Sequence, residues 1–181
     1  MGEFVEVPLE ELAGLMTSLD LVKEATAPRT VAKGWYRIRA EKVTTERDLR
    51  ENAPYPGRIM TTIQADRFSL EGERRGKEFV RISPEAHRVQ GKQDPSKDYQ
   101  DGPTKLWNQT YKAVTDPGEV IGAAEVIGRI QSYGVFDAYV DEYVKMPDQT
   151  FARFKTSEER TRLLEEGGEI GNSVTSLRRP K

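Results

Sequence analysis

The sequence has no cysteine and, among its 181 residues, a single histidine, His87. Without thiols the chain forms no disulfide, no thiolate metal site and no cysteine nucleophile. One imidazole leaves no nitrogen- or sulfur-based zinc site to assemble either. A centre built from carboxylates alone is the remaining metal option, but acids such as Asp137 and Asp141, on one face of a strand segment, more often pair with Lys or Arg. No metal and no cofactor is expected. Also missing is any apolar run approaching the ~18 residues of a membrane span. The opening MGEFVEVPLEEL has neither the basic start nor the apolar centre of a signal peptide, so the expected setting is cytoplasmic. The glycines of GEVIGAAEVIG lack the Lys-Ser/Thr pair and the preceding strand of a phosphate-binding loop and are expected to permit close helix packing. Ser83, before Pro84, has no local base or oxyanion signature. No catalytic residue is assigned, and an enzyme is not expected.

What the chain does have is charge. Hydrophobic residues make up 36% and charged residues 32%, a balance that suits a modest, barrel-like core with solvated loops. The net charge of −2 divides unevenly. Residues 1–26 carry Glu3, Glu6, Glu10, Glu11, Asp20 and Glu24 against Lys23, a net −5, which leaves +3 for the rest. Within that acidic stretch Leu9, Leu12, Met16 and Leu19 recur at spacings of three and four, the signature of a short amphipathic helix. The division expected is an acidic arm over 1–28 and a mildly basic body over 29–181. The arm either packs on the body or recruits a partner.

Along the body, GWYRIRAEKV over about 34–43 alternates as a strand. The loop TTERDLRENAPYPG follows, and then a second strand, RIMTTIQADRFSL, with Ile59, Thr61, Ile63 and Ala65 on one side. EGERRG turns into a third, short strand, KEFVRIS, and residues 88–103 read as an aperiodic loop. TKLWNQTYKAV is helical by the spacing of Leu106, Trp107, Thr110, Tyr111 and Val114. In DPGE, Asp116 at the N-cap, Pro117 and Glu119 predict a second helix over 117–132, with Ile121, Ala124, Ile127 and Ile130 or Gln131 along its seam and Gly134 as the stop. VFDAYVDEYV alternates most cleanly, Phe136, Ala138, Val140 and Val144 against Asp137, Tyr139, Asp141 and Tyr143. A helix capped by Thr156 and ended by Gly167 precedes a last strand in EIGNSVTSLRRPK.

The first strand raises the functional question. Its inward set is Tyr36, Ile38 and Ala40, which leaves Trp35, Arg37 and Arg39 facing outward. Such a face serves either as an aromatic rung between cations, which is how single-stranded nucleic acid is held, or as an ordinary outer strand covered by another element. The residues available for a nucleic-acid groove are Trp35, Arg37, Arg39, Arg58, Arg74, Arg75, Lys77, Arg81, Tyr139 and Tyr143.

The order strand, strand, strand, helix, strand, strand is that of a five-stranded oligonucleotide-binding (OB) barrel. The expected fold is therefore mainly β with added helices (α+β): an OB-like barrel with an N-terminal amphipathic helix, helices between strands three and four, and a helical insertion before the last strand. In GWYRIRAEKV, GRIMTTIQADRF, EGERRGKEFVRIS, KLWNQTYKAV, GVFDAYVDEYV and GNSVTSL the chain resembles phage-encoded single-stranded DNA-binding and recombination-accessory proteins, over about residues 33–178. The resemblance implies a non-enzymatic single-stranded DNA-binding role in DNA replication or recombination, with RNA as a further ligand. On this chain it points to Trp35, Arg37, Arg39, Arg74, Arg75 and Lys77, then to Tyr139 and Tyr143. A replication or recombination partner would be met through the acidic N-terminal helix. Two features depart from the pattern: the chain ends LRRPK rather than in an acidic tail, and the insertion over 146–168 exceeds what a minimal barrel needs. The rival expectation is a phage protein-protein module, a virion component or an inhibitor of a host factor, in which the barrel is only scaffold.

Overall fold

The computed structural model describes residues 30–91 and 94–181. The expected N-terminal helix lies outside the described residues. The rest is an α+β fold dominated by an antiparallel sheet. Three long strands open it: β1 (Gly34–Arg47), β2 (Ile59–Phe68) and β3 (Arg74–Ile82). A two-stranded hairpin, β4 (Arg88–Gln90) and β5 (Asp98–Gln100), leads into helices α1 (Gly102–Val114) and α2 (Ala123–Tyr133). The chain closes with β6 (Val135–Lys145), the short β7 (Phe151–Ala152), helix α3 (Ser157–Glu165) and β8 (Glu169–Arg178).

Strand β1 organises the sheet by pairing on both sides. Its first half, Gly34 to Arg39, runs against β6, and Arg37 to Arg47 runs against β2. A bulge that leaves Glu41 out of register separates the two commitments, as an extra residue bends and twists a strand. Close by, the Ala40 amide donates to the Gly134 carbonyl at 2.5 Å. Gly134 ends α2 at φ 53°, and a Cβ there would stand 3.2 Å from that of Ala40, so the turn demands glycine twice over. β3 pairs with β2, and β8 pairs with the opposite edge of β6. β3 and β8 approach one another but share no ladder.

The inward faces follow the period of two. Ile38, Ile63, Ala65, Val80, Ile82, Phe136, Ala138, Val140, Val174 and Leu177 meet Leu106, Trp107 and Val114 of α1 and Val126 and Ile130 of α2 in one core. Burying such side chains supplies roughly 1.5–3 kcal/mol each.

Several local expectations change. Asp116 and Glu119 do bond as a capping box would, the Asp116 amide donating to Glu119 Oε2 at 3.0 Å. Gly118, however, takes φ 81°, which no helix accommodates, so DPGE is a turn and α2 starts at Ala123. The later start rotates its buried stripe onto Val126 and Ile130 and leaves Ala124 exposed. A Cβ at Gly122 or Gly128 would meet nothing, so neither glycine serves close packing. Residues 88–103 contain the β4–β5 hairpin and the first two residues of α1 rather than a structureless loop.

Candidate nucleic-acid interface

The outward faces of β1, β2 and β3 line up in cross-strand rows. Arg39 stands opposite Asp66, which stands opposite Lys77; Lys42, Gln64 and Phe79 form the next row, and Thr44, Thr62 and Arg81 the one after. Lys77, Phe79 and Arg81 therefore project from one strand on one face, and Phe79 is 52% exposed. A half-exposed ring between two cations is the combination that stacks a base while holding its phosphates. Lys77 and Arg81 are among the candidates of the sequence, and Phe79 is not. The signal was there in KEFVRI, whose alternation sets Lys77, Phe79 and Arg81 against Glu78, Val80 and Ile82.

Two hollows flank the Phe79 ring. One, of about 630 Å³, lies beside the loop between β1 and β2 and is walled by Arg47, Leu49, Arg50, Met60 and Arg81. The other, of about 470 Å³, opens where β3 and β8 run side by side, with Lys105 and Arg153 at its rim. Among the described residues Lys42 and Lys105 form no ion pair. Acids hold other cations in place: Lys77 bonds Glu41 at 2.9 Å, Arg74 bonds Asp66 at 2.7 Å, and Arg81 lies 3.7 Å from Asp48. Asp48 is drawn down to about 2, chiefly by the Arg50 hydrogen bond, with the Arg81 charge adding. Burial pushes the Asp66 carboxyl up, yet the bonds and charges of its neighbours, Arg74 first, leave it below its ordinary value. Both acids therefore stay ionised at neutral pH and keep the cations oriented.

The remaining candidates divide into separate places. Trp35 and Tyr139 sit directly across from each other in the β1–β6 ladder, ring centroids 5.5 Å apart and edge to face. Arg37 donates to Asp137 at 3.1 Å in the next row. Arg178 of β8 covers Trp35, so this end of the face is already packed by side chains of the chain itself. Trp35 and Arg75 share the wall of a further hollow of about 460 Å³ at the β2–β3 turn, where Arg75 bonds Glu73. Arg39 is exposed and lies over Phe68, 5.4 Å from the ring centroid.

Two candidates are committed elsewhere. Arg58 is 5% exposed, and every guanidinium nitrogen is used: Nε donates to Ser83, and the two terminal nitrogens serve both oxygens of Asp101, the Glu85 carbonyl and Thr104. It locks the β1–β2 loop to the start of α1, because Asp101 is also the N-cap of that helix. Tyr143 lies across Gly171, its partner in the β6–β8 register, where an added Cβ would collide with the ring, and it meets Phe151 edge to face. The structure thus separates the ten candidates into a β3-centred face, a self-packed cluster at Trp35, and these two structural roles. Among the described residues no cluster of acids and histidine is placed to hold a metal ion, and no helix is long and apolar enough to cross a membrane.

No protein-family model, curated protein or solved structure matches the chain.

Proposed function

We propose that this is a non-enzymatic single-stranded DNA-binding protein, phage-encoded and acting in DNA replication or recombination, on an OB-like barrel formed by β1, β2, β3, β6 and β8. The observation that carries the reading is Phe79, half exposed between Lys77 and Arg81. The connectivity agrees: β1 is shared by β2 and β6, β8 joins β6, and helices α1 and α2 fall between the third and fourth long strands. OB barrels bind oligonucleotides on the face of their second and third strands, between the loops joining strands one to two and four to five. Here those loops are 48–58 and 146–168, and they bring Arg50 and Arg153 to the hollows on either side of Phe79. A strand laid along β3 would stack on that ring and exchange the acidic partners of Lys77 and Arg81 for phosphates, with no bond made or broken.

A second reading, a protein-protein module, draws on Val120 and Tyr133 near the two ends of α2, which are 90% and 74% exposed. Fluorescence anisotropy of a labelled oligonucleotide of about 30 nucleotides, single- and double-stranded, at two salt concentrations, separates the two. DNA binding gives salt-sensitive affinity that favours the single strand and weakens by about 1–3 kcal/mol in Phe79→Ala. Absence of binding at both salt concentrations would reject the reading and leave the α2 surface as the lead.

A further inference from the structure

We infer that the hollow between β3 and β8 takes one unstacked base of the bound strand, next to the base carried by Phe79. The inference rests on the single-strand reading and adds a second kind of contact to it.

The hollow follows from the way the sheet ends. Among the described residues β3 is laddered only to β2 and β8 only to β6, so the two strands face each other with edges that make no ladder there. Edges of this kind carry rows of main-chain donors and acceptors that seek partners. Farther along β8 the need is met from within: the Leu177 amide donates to Gln109 Oε1 of α1 at 2.8 Å. Among the described residues no side chain bonds the main chain of Ser173 to Thr175 in this way, and Thr175 is the residue that a bulge leaves out of register with β6. Bulges recur beside binding sites because they free and re-aim main-chain and side-chain groups.

Three features of this opening suit a nucleobase. Its volume of about 470 Å³ falls within the ~300–1,000 Å³ of small-ligand sites. Val80, Leu106 and Val174 give it apolar walls while strand edges give it hydrogen-bonding groups, which matches a flat ring system with two apolar faces and a polar rim. Phe79 of β3 lines it together with Lys105 of α1 and Arg153 of the loop before α3. Arg153 is steadied by Asp141 at 2.8 Å and by the Ser173 hydroxyl at 3.2 Å. A strand crossing from Phe79 to these cations has to pass over the opening. An added peptide strand would use the same edges but would have no use for the ring or the cations.

The test is a set of short oligonucleotides, each with 2-aminopurine at one position, titrated with the full-length protein and with Thr175→Trp, which fills the hollow from the bulge. The expected result is one position whose emission rises on binding, as its base leaves the stack, beside one that is quenched on Phe79. In Thr175→Trp the rise disappears while the quench remains. An abasic site at the pocket position should weaken binding to the unsubstituted protein by about tenfold and have no such effect on Thr175→Trp. If Thr175→Trp does not fold, Thr175→Leu takes its place, and the position map on the unsubstituted protein still decides. Uniform emission along the oligonucleotide, or a rise that survives filling, overturns the pocket, even where single-strand binding and its loss in Phe79→Ala stand. Failure of the unsubstituted protein to bind any single strand overturns the underlying reading as well.

Discussion

The guanidinium carbon of Arg178 stands 3.7 Å from the centroid of the Trp35 ring, so the most conspicuous aromatic of the first strand is engaged by a cation from the last. Tyr139 closes on the same ring edge to face, and Asp137, 2% exposed, takes Arg37 at 3.1 Å with Arg178 at 3.8 Å. The cluster joins β1, β6 and β8 across the sheet. Cation-π and edge-to-face contacts of this kind are worth about 0.5–2 kcal/mol each. Trp35→Ala should therefore lower stability by about 2–3 kcal/mol in urea denaturation while leaving single-strand affinity near that of the unsubstituted protein. A tenfold loss of affinity in a folded Trp35→Ala protein would return Trp35 to the binding face.

Binding along β3 should carry a defined salt signature. Each phosphate contact on a single strand contributes about 0.7 to the slope of log affinity against log salt. Replacing both Lys77 and Arg81 by Ala should lower that slope by about 1–1.5, with little change in the melting temperature, because both side chains lie on the exposed side of the strand. An unchanged slope would move the phosphate path off β3.

How much of this was legible in the sequence depends on the range of the forces involved. Alternation in VFDAYVDEYV placed Phe136, Ala138 and Val140 in the core because a strand's period is a local property. The Thr156 cap is equally local, accepting from the Glu159 amide at 3.2 Å. Gly118 was misjudged because its positive φ overrides a cap signal that its neighbours supply correctly. Arg58, Tyr143 and Trp35 enter the candidate groove on sequence because the partners that hold them lie far off in the chain, at Asp101, Gly171 and Arg178. Phe79 is less conspicuous for the opposite reason: alternation in KEFVRI sets it beside Lys77 and Arg81, but a lone phenylalanine in a short strand carries no sign of a ligand until the register lines up the rows of cations around it.

Asp101 caps α1 through the Thr104 amide at 3.1 Å and also holds the buried Arg58. Burial raises its carboxyl, but the bonds from Arg58 and Thr104 outweigh this and leave it below 3.8. A lowered carboxylate contributes stability that is present above its unfolded value and lost as pH falls through the folded one. Asp101→Ala should cost about 3–5 kcal/mol, since it strands a buried cation. Asp101→Asn should cost less, because it keeps the cap, and it should remove the Asp101 share of the stability lost below pH 3.8, so that its curve falls less steeply there. Urea midpoints between pH 5 and 2 check both outcomes.

Arg67 and Glu78 carry the opposite sign. Both project toward the core, 1% and 5% exposed, joined at 2.5 Å, with the Arg67 guanidinium carbon 5.9 Å from the centroid of the Tyr36 ring. Burial raises the Glu78 carboxyl by more than the charge and hydrogen bond of Arg67 lower it, so it titrates above 4.5. The folded protein then holds the Glu78 proton more tightly than the unfolded chain does. Ionised Glu78 costs stability at neutral pH, and that cost is relieved as pH falls from the folded value toward 4.5. Glu78→Ala should lose about 3–5 kcal/mol at pH 7, because it takes away the buried carboxylate that balances the Arg67 charge. A double variant, Arg67→Met with Glu78→Leu, removes both charges from the interior and should lie near the unsubstituted protein or above it. The unsubstituted protein should gain stability on the double variant as pH is lowered toward 4.5, because only the former has the Glu78 carboxylate to neutralise. Parallel stability curves for the two proteins across that window would mean that the pair is better hydrated than its burial indicates.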